Sequence, residues 1–299
     1  MKQLVILSGK GGTGKTSIAA AFAHLAATGT PQVRAVLADA DVDAANFELV
    51  LNPRAVSEQE FWSGQSAVIN PEMCSGCGIC AEVCRFDAIV VANGLYRVDD
   101  LGCEGCAACM YACPDEAIRM EDQLSGKWYQ SETSYGTLFH AALLPAQENS
   151  GKLVTLIKQH ARLNGLDEEI PLVIVDGPPG IGCPVVSAAS GADLALVVTE
   201  PTAAGTHDMK RILETTQHFG IPSMICINKA DIHPEGSETI EAYCQNHGFE
   251  TLNHIPFDLS VTQAMVKGQA VTAFNPDGAA SIAIREVWAR VIEAIGLPA

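Results

Sequence analysis

Short apolar runs alternate with amphipathic stretches along most of this chain. Leu4-Val5-Ile6-Leu7 is the first apolar run, and an alanine-rich helical pattern follows from Ile18 to Ala27, broken by Gly29 and Pro31. Val33 to Ala38 reads as a second buried strand. After Phe47-Glu48-Leu49-Val50-Leu51, Asn52-Pro53 interrupts the rhythm. It resumes at Thr137–Leu144, continues in a helical period over Gly151–Asn164 (Leu153, Leu156, Ile157, Ala161), and reaches the run Pro171–Val175. Further strands are predicted at Leu194–Thr199, Ser223–Asn228 and Thr251–Ile255, and helices at Ala204–Phe219, Ser237–Asn246 and Ala279–Ile295. Strands alternating with helices imply an α/β fold, a mostly parallel sheet with helices on both faces.

The interruption marks a second module. With 299 residues the chain is long enough for about two domains. Residues 1–54 and 137–299 carry the α/β rhythm, and 55–136 stand apart, with a core at 70–122. The stretch Glu121–Gly136 is polar with scattered aromatics and reads as the return linker, with a hairpin at Lys127–Ser131.

Charge and cysteine usage narrow the chemistry. The net charge is −17, from 18 basic and 35 acidic residues, so phosphate backbones and anionic lipid are repelled and no nucleic-acid partner is expected. No apolar run approaches the ~18 residues of a membrane span, and Met1-Lys2-Gln3 leads straight into a strand, so a cytoplasmic chain is expected. Of eleven cysteines, eight lie between Cys74 and Cys113, a distribution that points to metal binding rather than disulfides.

The first run leads into Ser8-Gly9-Lys10-Gly11-Gly12-Thr13-Gly14-Lys15-Thr16-Ser17, a full match to G-x-x-x-x-G-K-[ST] between a strand and a helix. Glycines let backbone N–H groups curl around an anion, and the helix N-terminus adds partial positive charge. Lys15 can reach the β- and γ-phosphates, and the Thr16 hydroxyl can hold Mg²⁺. Asp39, Asp41 and Asp43 follow the second strand, where open α/β sheets bind ligands. They read either as Mg²⁺ and water ligands or as the acidic first turn of a helix. Asp176 ends an apolar strand before Gly177-Pro178-Pro179-Gly180, as a Walker B acid before a γ-phosphate sensor or as a plain strand-to-turn junction. Asn228-Lys229-Ala230-Asp231 offers donors and acceptors to a purine edge, or else forms a capped turn.

The cysteines form two copies of one pattern: Cys74-x₂-Cys77-x₂-Cys80-x₃-Cys84 and Cys103-x₂-Cys106-x₂-Cys109-x₃-Cys113, offset by 29 residues. Asp87-Ala88-Ile89 matches Glu116-Ala117-Ile118, so the repeat extends past the cysteines. This spacing is that of bacterial two-cluster ferredoxins, whose fourth ligand comes from the other repeat. On that pattern Cys74, Cys77, Cys80 and Cys113 hold one [4Fe–4S] cluster, and Cys84, Cys103, Cys106 and Cys109 hold the other. A pair of zinc sites is the competing reading. Arg85 stands where the second copy has Pro114, so the two potentials should differ.

Lys10-Gly11-Gly12-Thr13-Gly14-Lys15-Thr16 resembles the deviant Walker A motif of the MinD/ParA/Mrp ATPases, which include the nitrogenase iron protein. The likeness extends to Asn149-Ser150-Gly151-Lys152-Leu153-Val154 and Asp176–Gly180, and the whole looks like such an ATPase with an inserted ferredoxin domain. The resemblance implies ATP and Mg²⁺ as ligands and a dimer, with a second copy or a related chain, in which Lys10 reaches the partner's nucleotide. It implies that Gly9 to Ser17 cradle phosphate, Asp41 positions the attacking water, and Asp39 lies in the outer Mg²⁺ shell. It places Asn46 near the nucleotide, makes Asp176 the Walker B acid, and puts Asn228, Asp231 and Pro256 beside adenine. Cys183 follows Asp176 at the separation of a cluster cysteine in the nitrogenase iron protein; it reads as half of a two-cysteine site across a dimer or as a small buried residue. Cys226 and Cys244 read as core residues.

These implications lead to an ATP-driven electron-transfer protein with a redox partner. The alternative is an iron–sulfur or metallocofactor assembly factor serving an acceptor protein. A positioning ATPase is disfavoured because Ile284–Glu293 has balanced charge, unlike a membrane-binding basic helix, so no stable membrane attachment is expected.

Overall fold

A computed structural model describes all of the chain except residues 93, 146, 148 and 299. The chain begins with β1 (Lys2–Ser8), α1 (Lys15–Thr28), β2 (Ala35–Asp39) and α2 (Phe47–Leu51). The long strand β3 (Arg54–Ile69) leads to α3 (Ile79–Val83), β4 (Ile89–Ala92), β5 (Leu95–Val98) and α4 (Ala108–Ala112). A second long strand, β6 (Ile118–Thr133), is followed by β7 (Gly136–Leu143), α5 (Ser150–Asp167), β8 (Leu172–Pro179) and α6 (Cys183–Ala189). Then come β9 (Leu194–Thr199), α7 (Ala203–His218), β10 (Ser223–Ile227), α8 (Pro234–His247) and β11 (Glu250–Thr251). The chain closes with α9 (Leu259–Val266), α10 (Val271–Phe274) and α11 (Ala279–Ile295).

Two compact units result: Met1–Gln59 with Trp128–Ala142 and Ser150–Ala299, and Glu60–Lys127 with Leu143–Asn149. The chain passes from one to the other inside β3, β6 and β7 and again between Asn149 and Ser150.

The first unit is the α/β body. The nine-stranded sheet has the order β11-β10-β9-β1-β8-β2-β7-β6-β3, and the pairs from β11 through β7 are parallel. A parallel strand covered on both faces has no polar side, which is why Leu4–Leu7 and Leu194–Val198 are apolar throughout and fully buried. Each such Leu, Ile or Val contributes about 1.5–3 kcal/mol on burial. Helix α11 buries one stripe, Ile284, Val287, Val291 and Ile292, and its Trp288 packs on Phe22 of α1 at 4.9 Å between ring centroids. It is a core helix, as its balanced charge indicates.

The second unit carries the repeat in its backbone. Left-handed residues recur at Gly76 and Gly105, Gly78 and Ala107, and Asp87 and Glu116, each pair at the sequence offset of 29. Helices α3 and α4 occupy matching positions with matching turns: Cys84 N–H donates to Ala81 O and Cys113 N–H to Met110 O, both at 3.3 Å. Strands β4 and β5 form an antiparallel hairpin, with Ile89 opposite Val98.

Several local expectations need correction. The hairpin expected at Lys127–Ser131 lies inside the continuous strand β6. The reversal comes at Ser134-Tyr135, where Thr133 Oγ1 donates to Gly136 O at 2.7 Å and accepts from Tyr135 N–H at 3.0 Å. The strand expected over Thr251–Ile255 is only β11 plus an isolated bridge between Asn228 and Ile255, because it lies at the sheet edge with a single partner. Strand β3 and helices α6, α9 and α10 lack a clear sequence period and emerge only with the packing.

Candidate nucleotide site and cysteine-rich centre

The carboxyl ends of β1, β2, β8, β9 and β10 bring together Ser8, Asp39, Asp176, Thr199 and Asn228, the place where an open parallel sheet builds its sites. Between β1 and α1 the loop Gly9–Thr16 turns tightly. Gly14, at φ +94, precedes α1, and a Cβ there would lie 2.3 Å from Asn228 Nδ2, so glycine is required by both conformation and space. No side chain caps α1, which leaves its first N–H groups to an external anion. Lys15 is buried, Thr16 half-buried and Ser17 buried, while Gly11 and Gly12 are exposed. The buried Thr13 hydroxyl has no partner among the described residues.

Asp39 and Asp176 are neighbours across β2 and β8, both 1% exposed. Asp39 accepts from the N–H groups of Asp41 and Phe47, each at 3.1 Å, and so shapes the loop that carries Asp41. Burial raises the Asp39 carboxyl well above its usual range, and the Asp176 charge adds to the effect. Asp176 is pushed up to about 6 by burial, against the pull of Lys15 and a hydrogen bond from Thr16. Burial also raises half-buried Asp41, opposed by Lys15. Asp176 Oδ1 has no partner among the described residues. A buried carboxylate oxygen without a donor, next to the Thr16 hydroxyl and in excess negative charge, is a hard-oxygen set that fits Mg²⁺.

Asn228 packs on the loop: its Nδ2 donates to Thr13 O at 2.7 Å, and its Oδ1 accepts from Lys229 N–H at 3.0 Å. Both ends of the amide therefore meet backbone. Asp231 Oδ1 accepts from Phe257 N–H at 2.7 Å, and Asp231 and Pro256 line a groove of about 590 Å³ together with Pro234 and His254. Exposed Asn46 precedes α2 and donates to Ala44 O at 2.7 Å. Sequence reasoning missed Glu200, and read Lys229 only as part of the Asn228–Asp231 tetrad. Glu200 receives both Lys10 (2.8 Å) and Lys229 (2.5 Å). The signal was available, since Glu200 directly follows the apolar strand β9 at the sheet's carboxyl end.

Cys183 is the first residue of α6 and is exposed, which corrects its reading as a buried apolar residue. Cys226 and Cys244 are fully buried, as core residues should be.

In the second unit Cys80 and Cys109 are buried, Cys74, Cys84, Cys103 and Cys113 half-buried, and Cys77 and Cys106 exposed. Burial raises the Cys80 thiol, with Cys74 and Cys77 adding to it; Cys109 is raised in the same way, with Cys103 and Cys106 adding. A small cavity walled by Ala67, Ile89 and Val98 is lined by Cys84, Cys103, Cys106 and Cys109, one cysteine from the first run and three from the second. Cys113 Sγ accepts from Ala117 N–H at 3.4 Å. Among the described residues no three His, Cys, Asp or Glu side chains converge at the spacing of a single metal ion. A four-iron cube places one thiolate on each iron and so spreads its ligands more widely.

Comparison with known proteins places these features in context. Residues 4–271 match the family model described as the CobQ/CobB/MinD/ParA nucleotide-binding domain. An uncharacterized protein of Methanocaldococcus jannaschii is 33% identical over 293 residues, 98% of this chain and 97% of the relative. One component of the Na⁺-translocating ferredoxin:NAD⁺ oxidoreductase complex of Acetobacterium woodii is 44% identical over 48 residues, 16% of this chain and 14% of that component. The septum site-determining protein MinD of Pyrococcus horikoshii, solved with Mg-ADP, shares the fold with a TM-score of 0.55 at 18% identity, covering 99% of this chain and 97% of that one.

Proposed function

The chain belongs to the CobQ/CobB/MinD/ParA nucleotide-binding family, and from that premise we propose that it is a Mg²⁺-dependent ATPase in which nucleotide-driven pairing of two chains is coupled to electron transfer through two [4Fe–4S] clusters. The observation that carries the cluster reading is the cavity that joins Cys84 of the first run to Cys103, Cys106 and Cys109 of the second, the crossed ligand set of a two-cluster ferredoxin. Cys74, Cys77, Cys80 and Cys113 are the complementary set. When bound, the clusters would supply one-electron storage. The burial of Cys80 and Cys109 keeps one ligand of each set away from water.

At the other site the loop N–H groups and Lys15 would bind the phosphates, and Thr16 and Asp176 would hold Mg²⁺, which supplies charge neutralisation at the phosphates. Lys10 serves the nucleotide of a second copy. Asp41 orients water for attack on the γ-phosphorus; the new P–O bond forms as the bond to the ADP oxygen breaks. The turn Gly177–Gly180 is tied to the phosphate loop, since Gly180 N–H donates to Ser8 O at 2.9 Å. Loss of the γ-phosphate therefore acts on both segments.

The test is anaerobic purification of the full chain, iron counting, EPR, and redox titration with and without Mg-ATP. About eight irons per chain and a potential that shifts with nucleotide are expected. Zinc in place of iron overturns the cluster assignment. Unchanged potentials with ATP-dependent release of iron to an apo-acceptor would replace electron transfer by cluster delivery.

A further inference from the structure

Two lysines beside the phosphate loop end on one carboxylate. Lys10 Nζ lies 2.8 Å from Glu200 Oε2 and Lys229 Nζ lies 2.5 Å from Oε1, and the Glu200 side chain is only 12% exposed. The two lysines are not equally tied. Lys229 holds a left-handed backbone at φ +55, its N–H donates to Asn228 Oδ1, and its ammonium also donates to Gly12 O at 3.1 Å. It is part of the loop's framework. The Lys10 backbone is anchored by Ser8 Oγ donating to its carbonyl at 2.7 Å, but its ammonium has one partner among the described residues, Glu200. Burial alone would raise the Glu200 carboxyl; the hydrogen bonds and charges of Lys10 and Lys229 hold it below its ordinary value.

A carboxylate that neutralises cations at the edge of a phosphate loop does what a phosphate oxygen does there. An incoming phosphate must compete with it. Lys229 can keep Glu200 while Lys10 leaves, because Lys229 retains its own contacts to the loop. We propose that Glu200 is a positioning residue that stores Lys10 on its own chain and releases it to the phosphates of a second, nucleotide-bearing copy. This inference rests on the reading of an ATP-dependent dimer and adds its regulation. Nucleotide binding within one chain leaves the storage contact intact, and pairing breaks it twice, once per copy.

The test is self-association of the full chain by sedimentation, in Mg-ADP and in a non-hydrolysable Mg-ATP analogue, for wild type, Glu200→Gln and Glu200→Asp. Each partly exposed pair is worth a few-fold; with two pairs per dimer, the Glu200→Gln dissociation constant should fall roughly tenfold. Affinity for Mg-ADP should change less than about twofold. Glu200→Asp keeps the charge and should stay near wild type. In a Lys10→Ala background Glu200→Gln should have no effect. Unchanged or weaker pairing in a folded Glu200→Gln chain, with pairing intact in wild type, overturns the storage role alone. Wild type that binds the Mg-ATP analogue without pairing overturns the dimer reading and the storage role together. If Glu200→Gln does not fold, Lys229→Met decides the matter. It leaves Glu200 to Lys10 alone and should weaken pairing several-fold beyond any change in affinity for the Mg-ATP analogue measured on the same chain, and an unchanged constant, or a loss no larger than that change, overturns the proposal.

Discussion

Asp176→Asn should make the nucleotide-free chain more stable while it disables the metal site. The Asp176 carboxyl is held at about 6 against an ordinary 3.8, chiefly by burial, with Asp41 adding repulsion and Lys15 only partly offsetting it. A folded value above the unfolded one means that the native chain binds the proton more tightly. The resulting destabilisation is absent below the unfolded pKa, grows as pH rises from about 4 to 6, and is fully present at pH 7. Two pKa units at about 1.4 kcal/mol each come to roughly 3 kcal/mol. An asparagine keeps an acceptor for the Thr16 hydroxyl and carries no charge beside Asp39. For a chain of 299 residues the gain corresponds to a rise of roughly 5 °C in melting temperature. The assay is thermal unfolding in EDTA without nucleotide, anaerobically, at pH 7.5 and at pH 4. The variant should melt higher at pH 7.5, and the two curves should converge toward pH 4. Adding Mg-ATP should raise the wild type substantially and the variant little, because the unpartnered oxygen is gone. A variant that melts at or below wild type at pH 7.5, with a gap that does not depend on pH, would refute the reasoning.

Gly14→Ala forces a Cβ to within 2.3 Å of Asn228 Nδ2 at φ +94; strain of about 1–3 kcal/mol should cut nucleotide affinity about 5- to 150-fold, read by calorimetry. Cys84→Ala should lower iron from about eight to about four per chain and leave one cluster signal in EPR, since Cys84 is the lone first-run cysteine in its cavity; retention of all iron would break the crossed assignment. Lys158 is pulled down to about 8 by burial, and its ammonium donates to the carbonyls of Ser187 and Ser190 at 2.6 Å each, around the end of α6. Lys158→Met should cost about 1–3 kcal/mol in urea unfolding. It should also remove the wild-type gain in stability between pH 8 and 10.5, where the unfolded chain binds the proton more tightly. His140 is held below its ordinary value by burial, against the charge of Glu48, and meets Glu48 at 3.0 Å and Ser131 at 2.9 Å. Wild-type stability should therefore drop as pH falls below 6.5, and His140→Gln should flatten that part of the profile.

The central strands were legible because their burial is two-sided, and an apolar run such as Leu4–Leu7 has no other low-energy place. Helix α11 was legible to its end residues because its stripe repeats for several turns and Gly296 stops it. The phosphate loop and the cysteine repeat were legible because each is local: a turn needs its glycines, and a repeated sequence gives repeated left-handed turns. The half-polar strands β3 and β6 were not legible. Their residues favour a strand only when a neighbour supplies the hydrogen bonds. The contents of the nucleotide site divide in the same way. Sequence singled out Lys10, Lys15, Asp39 and Asp176. Strand order alone made Asp39 and Asp176 neighbours, and their burial at the strand ends raised both. Chain folding alone carried Glu200, 190 positions from Lys10, onto two lysines, and pressed Asn228 against the loop where Gly14 leaves room. Local sequence sets which groups a segment offers, while charge coupling and burial act through space and exist only once distant strand ends meet.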